Sequence, residues 1–371
     1  MARQLIILGI RGVPAAHGGF ETFAEHLSLY LQRQGWDVLV YCQGSPTGAR
    51  FEDSWEGIRR IHIPTTRDGA VGTIEFDIKS TADAMRQPGV ILTLGYNTGF
   101  LSSWVARKGR TNLINMDGLE WKRAKYSRAE RAYLWINERL AARAGTQLIA
   151  DHPAIADHLA RGTPRERITM IPYGADRIDA CDPAPLAAFG IEPQRFYTLI
   201  ARPEPENSVL EIVRGFSARE RGHKLMLLGK YDRANPYHAK VMDAAGPEVI
   251  FPGAIYDKAI LHALRFHSLA YLHGHRVGGT NPSLVEALGA GNAVIAHDNP
   301  FNRWVCGDAG TYFTTADDCA KAIDRLSGDP ALAERMRDAA RARWEADFTW
   351  TAVLGQYEAL IAEFADRAAK G

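Results

Sequence analysis

Short apolar runs alternate with amphipathic stretches along most of this chain. The runs predict strands at Gln4–Ile10, Val38–Tyr41, Ile58–Ile63, Val90–Leu94, Asn112–Met116, Gln147–Ala150 and Ile168–Ile171. A second series follows at Tyr197–Ala201, Lys224–Leu228, Val249–Phe251, Leu269–Leu272, Ala293–Ala296 and Thr311–Phe313. Between them, apolar residues recur at helical spacing, as in Phe20–Gln34 and Val209–Arg221, and helices over Pro330–Asp347 and Trp350–Ala368 are expected after the last strand. Strands alternating with helices in this way imply an α/β fold of parallel, doubly wound sheets.

The two series are separated by Asp179–Pro193, DACDPAPLAAFGIEP, which is rich in Pro and Ala and has little periodicity. It predicts a boundary between a Rossmann-like domain at 1–180 and another at 190–349, with a C-terminal helix at about 350–371 crossing back onto the first. A chain of 371 residues suits two cores better than one. Two such domains are expected to face each other across a cleft, with ligands at the carboxyl ends of the strands.

Composition removes several classes of function. A net charge of +1 argues against a general nucleic-acid partner. The four cysteines form no close pairs, so neither a disulfide framework nor a zinc site is indicated, which suits a reducing cytoplasm. Leu5–Ile10 is too short for a signal peptide, and no run approaches the roughly 18 apolar residues of a spanning helix. The first strand–helix turn, Gly9 to Thr22, is not the GxGxxG fingerprint, and strand two ends in Tyr41-Cys42-Gln43 rather than an acid. A nicotinamide enzyme is therefore not expected.

The most informative stretch is Leu272–Asp298, LHGHRVGGTNPSLVEALGAGNAVIAHD, read as strand, glycine loop, short helix, glycine turn and strand. Pro282 fits a first helical turn capped by Thr280 or Asn281. A helix start of this kind can hold a phosphate, and Glu286, about one turn further in, can accept hydrogen bonds from a ribose diol. The alternative is an α/β unit whose glycines serve only turns and packing. In YTLIARPEPEN, Arg202 leaves the end of a strand where it can pair with a diphosphate. Glu206 and Asn207 open the next helix, and Pro203 and Pro205 fix where Glu206 points. In INMDGLEWKR, Asp117 stands at the carboxyl end of a strand and could act as a general base, with a helix-capping role as the alternative. Glu120 and Lys122 share its loop. In the first turn, Gly18 and Gly19 allow backbone to approach a sugar or phosphate, and Arg11, His17 and Glu21 are further polar candidates. Trp104–Arg143 carries ten Lys or Arg against four acids, with Trp121, Tyr126, Tyr133 and Trp135 interleaved. Such a stretch is either a docking face for an anionic membrane surface or a solvated helix with i,i+4 pairs.

Four segments in order, RGVPAAHGGFET, NMDGLEWKR, ARPEPEN and GHRVGGTNPSLVEALGAG, resemble the retaining family 4 glycosyltransferases of GT-B architecture, over essentially the whole chain. The closer resemblance is to a bacterial subgroup assigned as rhamnosyltransferases. It implies that Arg202 holds a donor diphosphate, helped by Lys230, and that Glu286 holds the nucleotide ribose. Gly279, Thr280 and Asn281 would line the phosphate and sugar loop, with Gly18 and Gly19 facing the donor. Asp117 and Glu206 would be the carboxylates nearest the anomeric carbon. Two departures from the wider family stand out: Gly278 replaces an acid eight residues before Glu286, and Asn207 replaces a lysine five residues after Arg202.

The resulting expectation is a cytoplasmic hexosyltransferase, peripheral on the inner face of the plasma membrane. It would need neither metal nor cofactor, and would move L-rhamnose from dTDP-rhamnose to a lipid-linked saccharide in envelope polysaccharide assembly. A nucleotide-sugar epimerase of the same fold and a non-catalytic nucleotide-sugar-binding protein are the alternatives.

Overall fold

The computed structural model describes residues 3–16, 18–46 and 48–368, and within these the chain divides into two compact units. The first takes in the described residues up to Trp121, then Tyr126–Pro172 and the chain from Trp350 onward; the second takes in Lys122–Lys125 and Tyr173–Thr349.

The first unit is built on β1 (Gln4–Leu8), α1 (Gly19–Arg33), β2 (Asp37–Gly44), β3 (Phe51–Trp55), β4 (Ile58–Pro64), α2 (Gly69–Ala84), β5 (Val90–Leu94), α3 (Phe100–Arg107), β6 (Asn112–Asn115), α4 (Arg128–Ala144), β7 (Gln147–Ala150), α5 (Pro153–Leu159) and β8 (Ile168–Met170). The sheet order is β3-β4-β2-β1-β5-β6-β7-β8. All neighbours are parallel except β3, which pairs antiparallel with β4. Ile6, Leu39, Ile61 and Ile91 are fully buried, as expected of strands covered on both faces. β3 departs from the sequence expectation. Its residues FEDSW are mostly exposed and show no apolar alternation, so the hydrophobic pattern carried no signal for it. The C-terminal helix Trp350–Ala368 lies on this unit: Tyr357 Oη accepts from Asn115 Nδ2 at 2.8 Å, and Glu358 accepts from Tyr30 and Trp36.

The second unit contains β9 (Phe196–Ile200), α6 (Val209–Ser217), β10 (Lys224–Leu228), α7 (Pro236–Asp243), β11 (Val249–Ile250), α8 (Lys258–Phe266), β12 (Ala270–His273), α9 (Pro282–Gly289), β13 (Val294–His297), α10 (Pro300–Cys306), β14 (Gly310–Phe313), α11 (Ala316–Gly328) and α12 (Pro330–Asp347). Its all-parallel sheet has the order β11-β10-β9-β12-β13-β14. Strand order reverses at β9, whose neighbours β10 and β12 are reached in opposite directions. The carboxyl ends of β9 and β12 therefore form the switch point at which doubly wound sheets open a crevice. α6 stops at Ser217 instead of continuing to Arg221: the Arg221 guanidinium turns back and donates to the Phe216 carbonyl in the last turn and to the Arg219 carbonyl beyond it, and Gly222 follows in the left-handed region.

Candidate functional site: a cavity at the second switch point

Arg202 follows β9 directly, so the buried run Phe196–Ile200 that makes the strand also delivers the guanidinium to its carboxyl end. The loop after it is held by its own side chains: Asn207 Nδ2 donates to the Arg202 carbonyl at 2.8 Å. Gly274 closes against the same loop, because a Cβ there would stand 2.0 Å from the Asn207 carbonyl oxygen. Only glycine lets the end of β12 come this near. Asn207 is buried and serves as a brace.

A cavity of about 570 Å³ opens at this switch point, and its walls include Arg202, Glu204, Lys230, Tyr256, His275 and Asn281. The size suits a small organic ligand. Asn281 caps α9, accepting the Ser283 N–H at 3.1 Å, and Pro282 and Ser283 complete that wall. The first-turn N–H groups are largely used internally, since Leu284 and Val285 donate to the Asn281 carbonyl. What α9 contributes is the positive end of its dipole, beside the cations Arg202 and Lys230.

Of the residues expected from sequence, Arg202, Lys230 and Asn281 meet in this cavity. Glu206, Asn207, Gly279, Thr280 and Glu286 are not among the described residues lining it. Thr280 is buried. Glu286, inside α9, is ion-paired with Arg265 of α8. Glu206 is buried; its Oε2 accepts the Ala124 N–H at 2.6 Å and its Oε1 stands 3.6 Å from Arg123. Its carboxylate thus anchors the segment Lys122–Lys125, and Lys122 itself is exposed.

In the first unit, Gly18 and Gly19 begin α1, and Glu21 accepts the Arg11 N–H at 3.3 Å. His17 lies outside the described residues. Asp117 leaves β6 with φ +51, a left-handed conformation unusual for a residue with a side chain. Asn115 Oδ1 accepts its N–H at 2.9 Å, and its own Oδ1 accepts the Gly118 N–H at 2.7 Å. Strain of this kind is typical of functional positions. Glu120 is buried, its N–H donating to Tyr96 Oη at 2.9 Å.

Sequence reasoning passed over His273 and His275. Tyr271, His273 and His275 share one side of β12 and its extension, a period-two signal visible in YLHGH, and their rings stack: Tyr271 on His273 at 6.0 Å and His273 on His275 at 4.4 Å. Burial together with the nearby Arg123 and Arg202 pushes the His275 imidazole down to about 3. Burial and then His275 hold His273 well below the ordinary histidine range. Both rings are neutral at physiological pH. Among the described residues, no group of three or more His, Cys, Asp or Glu is placed to hold a metal ion, and no helix is long and apolar enough to cross a membrane.

Comparison with known proteins gives this geometry its context. Residues 212–359 match the family profile described as "Glycosyl transferase-like", and residues 2–176 match one described as "Domain of unknown function (DUF1972)". In fold, the chain is similar to sucrose-phosphate synthase from Thermosynechococcus elongatus, with 19% identity and a TM-score of 0.81 over 98% of this chain and 99% of that one. It is also similar to Anabaena HepE in complex with UDP and glucose, with 14% identity and a TM-score of 0.76 over 98% of this chain and 100% of that one. A trehalose 6-phosphate synthase from Burkholderia multivorans shares 10% identity and a TM-score of 0.73, covering 99% of this chain and 100% of that one. No curated protein matches the sequence. The chain has the GT-B architecture. At these identities the likeness establishes two Rossmann-like units in one chain.

Proposed function

We propose that this GT-B chain is a retaining glycosyltransferase that takes its sugar from a nucleotide sugar. The observation that carries the reading is the gathering of Arg202, Lys230 and the positive end of α9 around one cavity at the switch point. Two cations and a helix start form a place where a leaving diphosphate can accumulate charge. Exposed Tyr256 on the same wall offers a ring to a nucleobase. Residues 212–359, the stretch matched by the glycosyl transferase-like profile, hold most of that wall.

In this reading Arg202 and Lys230 bind the diphosphate, Gly279 and Thr280 shape the loop toward the sugar, and Glu286, oriented by Arg265, meets the ribose. Gly18 and Gly19 offer backbone to the donor, with Arg11, Glu21, Glu120 and Lys122 on the acceptor or sugar side. Asp117, held in its strained turn, orients or deprotonates the acceptor hydroxyl. Glu206 acts at one remove by fixing the Lys122–Lys125 segment. The donor we favour is dTDP-L-rhamnose, since Gly278 and Asn207 depart from the pattern of glucose- and mannose-type enzymes. The acceptor we favour is a lipid-linked saccharide.

A membrane-borne acceptor would suit the surface of α3 and α4. Phe100, Tyr133, Trp135 and Ile136 are exposed there, with Arg107, Lys108, Arg128 and Arg139 exposed around them. Glu138 is withdrawn into bonds with Trp121 and His158, while exposed Glu130 caps α4, and the exposed basic residues outnumber it. Peripheral docking on the cytoplasmic leaflet follows from this reading.

The test is a thermal-shift panel of nucleotide sugars that includes dTDP-rhamnose and UDP-glucose. A donor at 100 times its dissociation constant should stabilise the protein by about 2.7 kcal/mol. No shift with any member would remove the donor site.

A further inference from the structure

His275 lines the same cavity as Arg202 and is held from behind by a stacked ring, with planes 14° apart and centroids 4.4 Å from His273. Its Nδ1 is enclosed and has no hydrogen-bond partner among the described residues, and the same holds for both ring nitrogens of His273. A buried polar atom without a partner is costly, and native folds rarely keep one without a use. Asn302 Nδ2 and Asn299 Nδ2 both donate to the His275 carbonyl, at 2.9 and 3.0 Å, so the backbone that carries the ring is fixed on its other side. The ring is therefore positioned by stacking and by its backbone, and its Nδ1 is left without a partner among the described residues.

We infer that His275 is a donor-recognition residue, whose imidazole hydrogen-bonds an oxygen of the nucleotide sugar's diphosphate alongside Arg202. This rests on the donor site proposed above and adds a specific contact to it. The chemistry differs from that of a third cation. A neutral imidazole carries one N–H and one lone pair. With burial and the nearby Arg123 and Arg202 favouring the neutral ring, the N–H is available to donate to an anionic oxygen. It lends direction without adding charge, so it aligns the diphosphate while contributing one hydrogen bond to its binding. The neutral state is also the one that burial and Arg202 favour.

Calorimetry with UDP and dTDP on the full chain tests this, using wild type, Arg202→Ala, His275→Ala and His275→Gln, all first checked for unchanged melting and circular dichroism. The expected result is loss of roughly tenfold or more in nucleoside diphosphate affinity for His275→Ala, the scale of a hydrogen bond to a charged group. Partial recovery is expected in His275→Gln, whose amide also donates. A nitrogen-15 spectrum of histidine-labelled protein should show His275 neutral from pH 5 to 8, with one ring nitrogen shifting when UDP or dTDP is added. A folded His275→Ala that binds like wild type, with no imidazole shift, would overturn the inference even if Arg202→Ala loses binding. Absence of UDP and dTDP binding in wild type would instead overturn the donor-site reading, and the role of His275 with it.

Discussion

Single residues carry the chemistry, and the sequence exposed them unevenly. Arg202 was legible because a charged residue at the end of an apolar run has few other places to go. Substituting it with Ala should weaken nucleotide sugar and free nucleoside diphosphate together, by roughly 1.5–3 kcal/mol, as read by calorimetry. Unchanged affinity would take Arg202 out of the site. Asp117→Asn should reduce transfer by about 10²–10⁴-fold with nucleoside diphosphate binding near wild type, the usual effect of losing a positioned base. Full turnover in that variant would assign Asp117 to loop geometry alone, a role that φ +51 and the Asn115 contact would also satisfy. The partners of the other carboxylates could not be read from the sequence. Glu206 meets Ala124 and Arg123 across more than eighty positions, and Glu286 meets Arg265 across 21. Glu206→Gln should accordingly impair turnover by loosening the 122–125 segment, and hydrogen exchange of those amides should quicken in parallel. Lost turnover without faster exchange would make Glu206 a direct participant.

At the scale of elements, strands were legible wherever burial on both faces made them apolar, and β3 was not, because an exposed edge strand needs no apolar pattern. Polar residues inside elements were harder to interpret. Asp77 of α2 is buried, accepts from Thr98 Oγ1 at 2.8 Å, and lines a small cavity of about 20 Å³ with Ser80, Thr81 and Ser102. Burial pushes its carboxyl up to about 6. A raised carboxylate has a definite sign: the folded form holds the proton more tightly than the unfolded one, so stability from this group is present at acid pH and lost as pH rises through about 6. Asp77→Asn keeps an acceptor for Thr98 and removes the ionisation. It should stabilise the first unit at pH 8, by on the order of 2–3 kcal/mol, and change little near pH 4, as measured by urea unfolding. An equal effect at both pH values would mean that Asp77 ionises in the folded protein as it does in the unfolded chain, with no upward shift.

For the molecule as a whole, two doubly wound units could be anticipated because strand–helix alternation runs through the chain twice. Surface function is less securely encoded. Ten basic residues in Trp104–Arg143 suggested a docking face, and the exposed Phe100, Trp135 and Ile136 add an apolar component beside them. Binding to anionic vesicles should therefore fall as salt rises, because charges of this kind are screened over about 8 Å at physiological ionic strength. Equal binding to neutral and anionic vesicles would leave the patch as ordinary surface. The central claim, transfer of a sugar with retention from a nucleotide donor, is tested most directly by NMR of a reaction of the protein, dTDP-rhamnose or UDP-glucose, and lipid-linked saccharides extracted from bacterial membranes. The account predicts nucleoside diphosphate release that requires the acceptor, and a glycosidic product with the donor's anomeric configuration. An inverted product, an epimerised nucleotide sugar formed without acceptor, or tight donor binding with no turnover would contradict it.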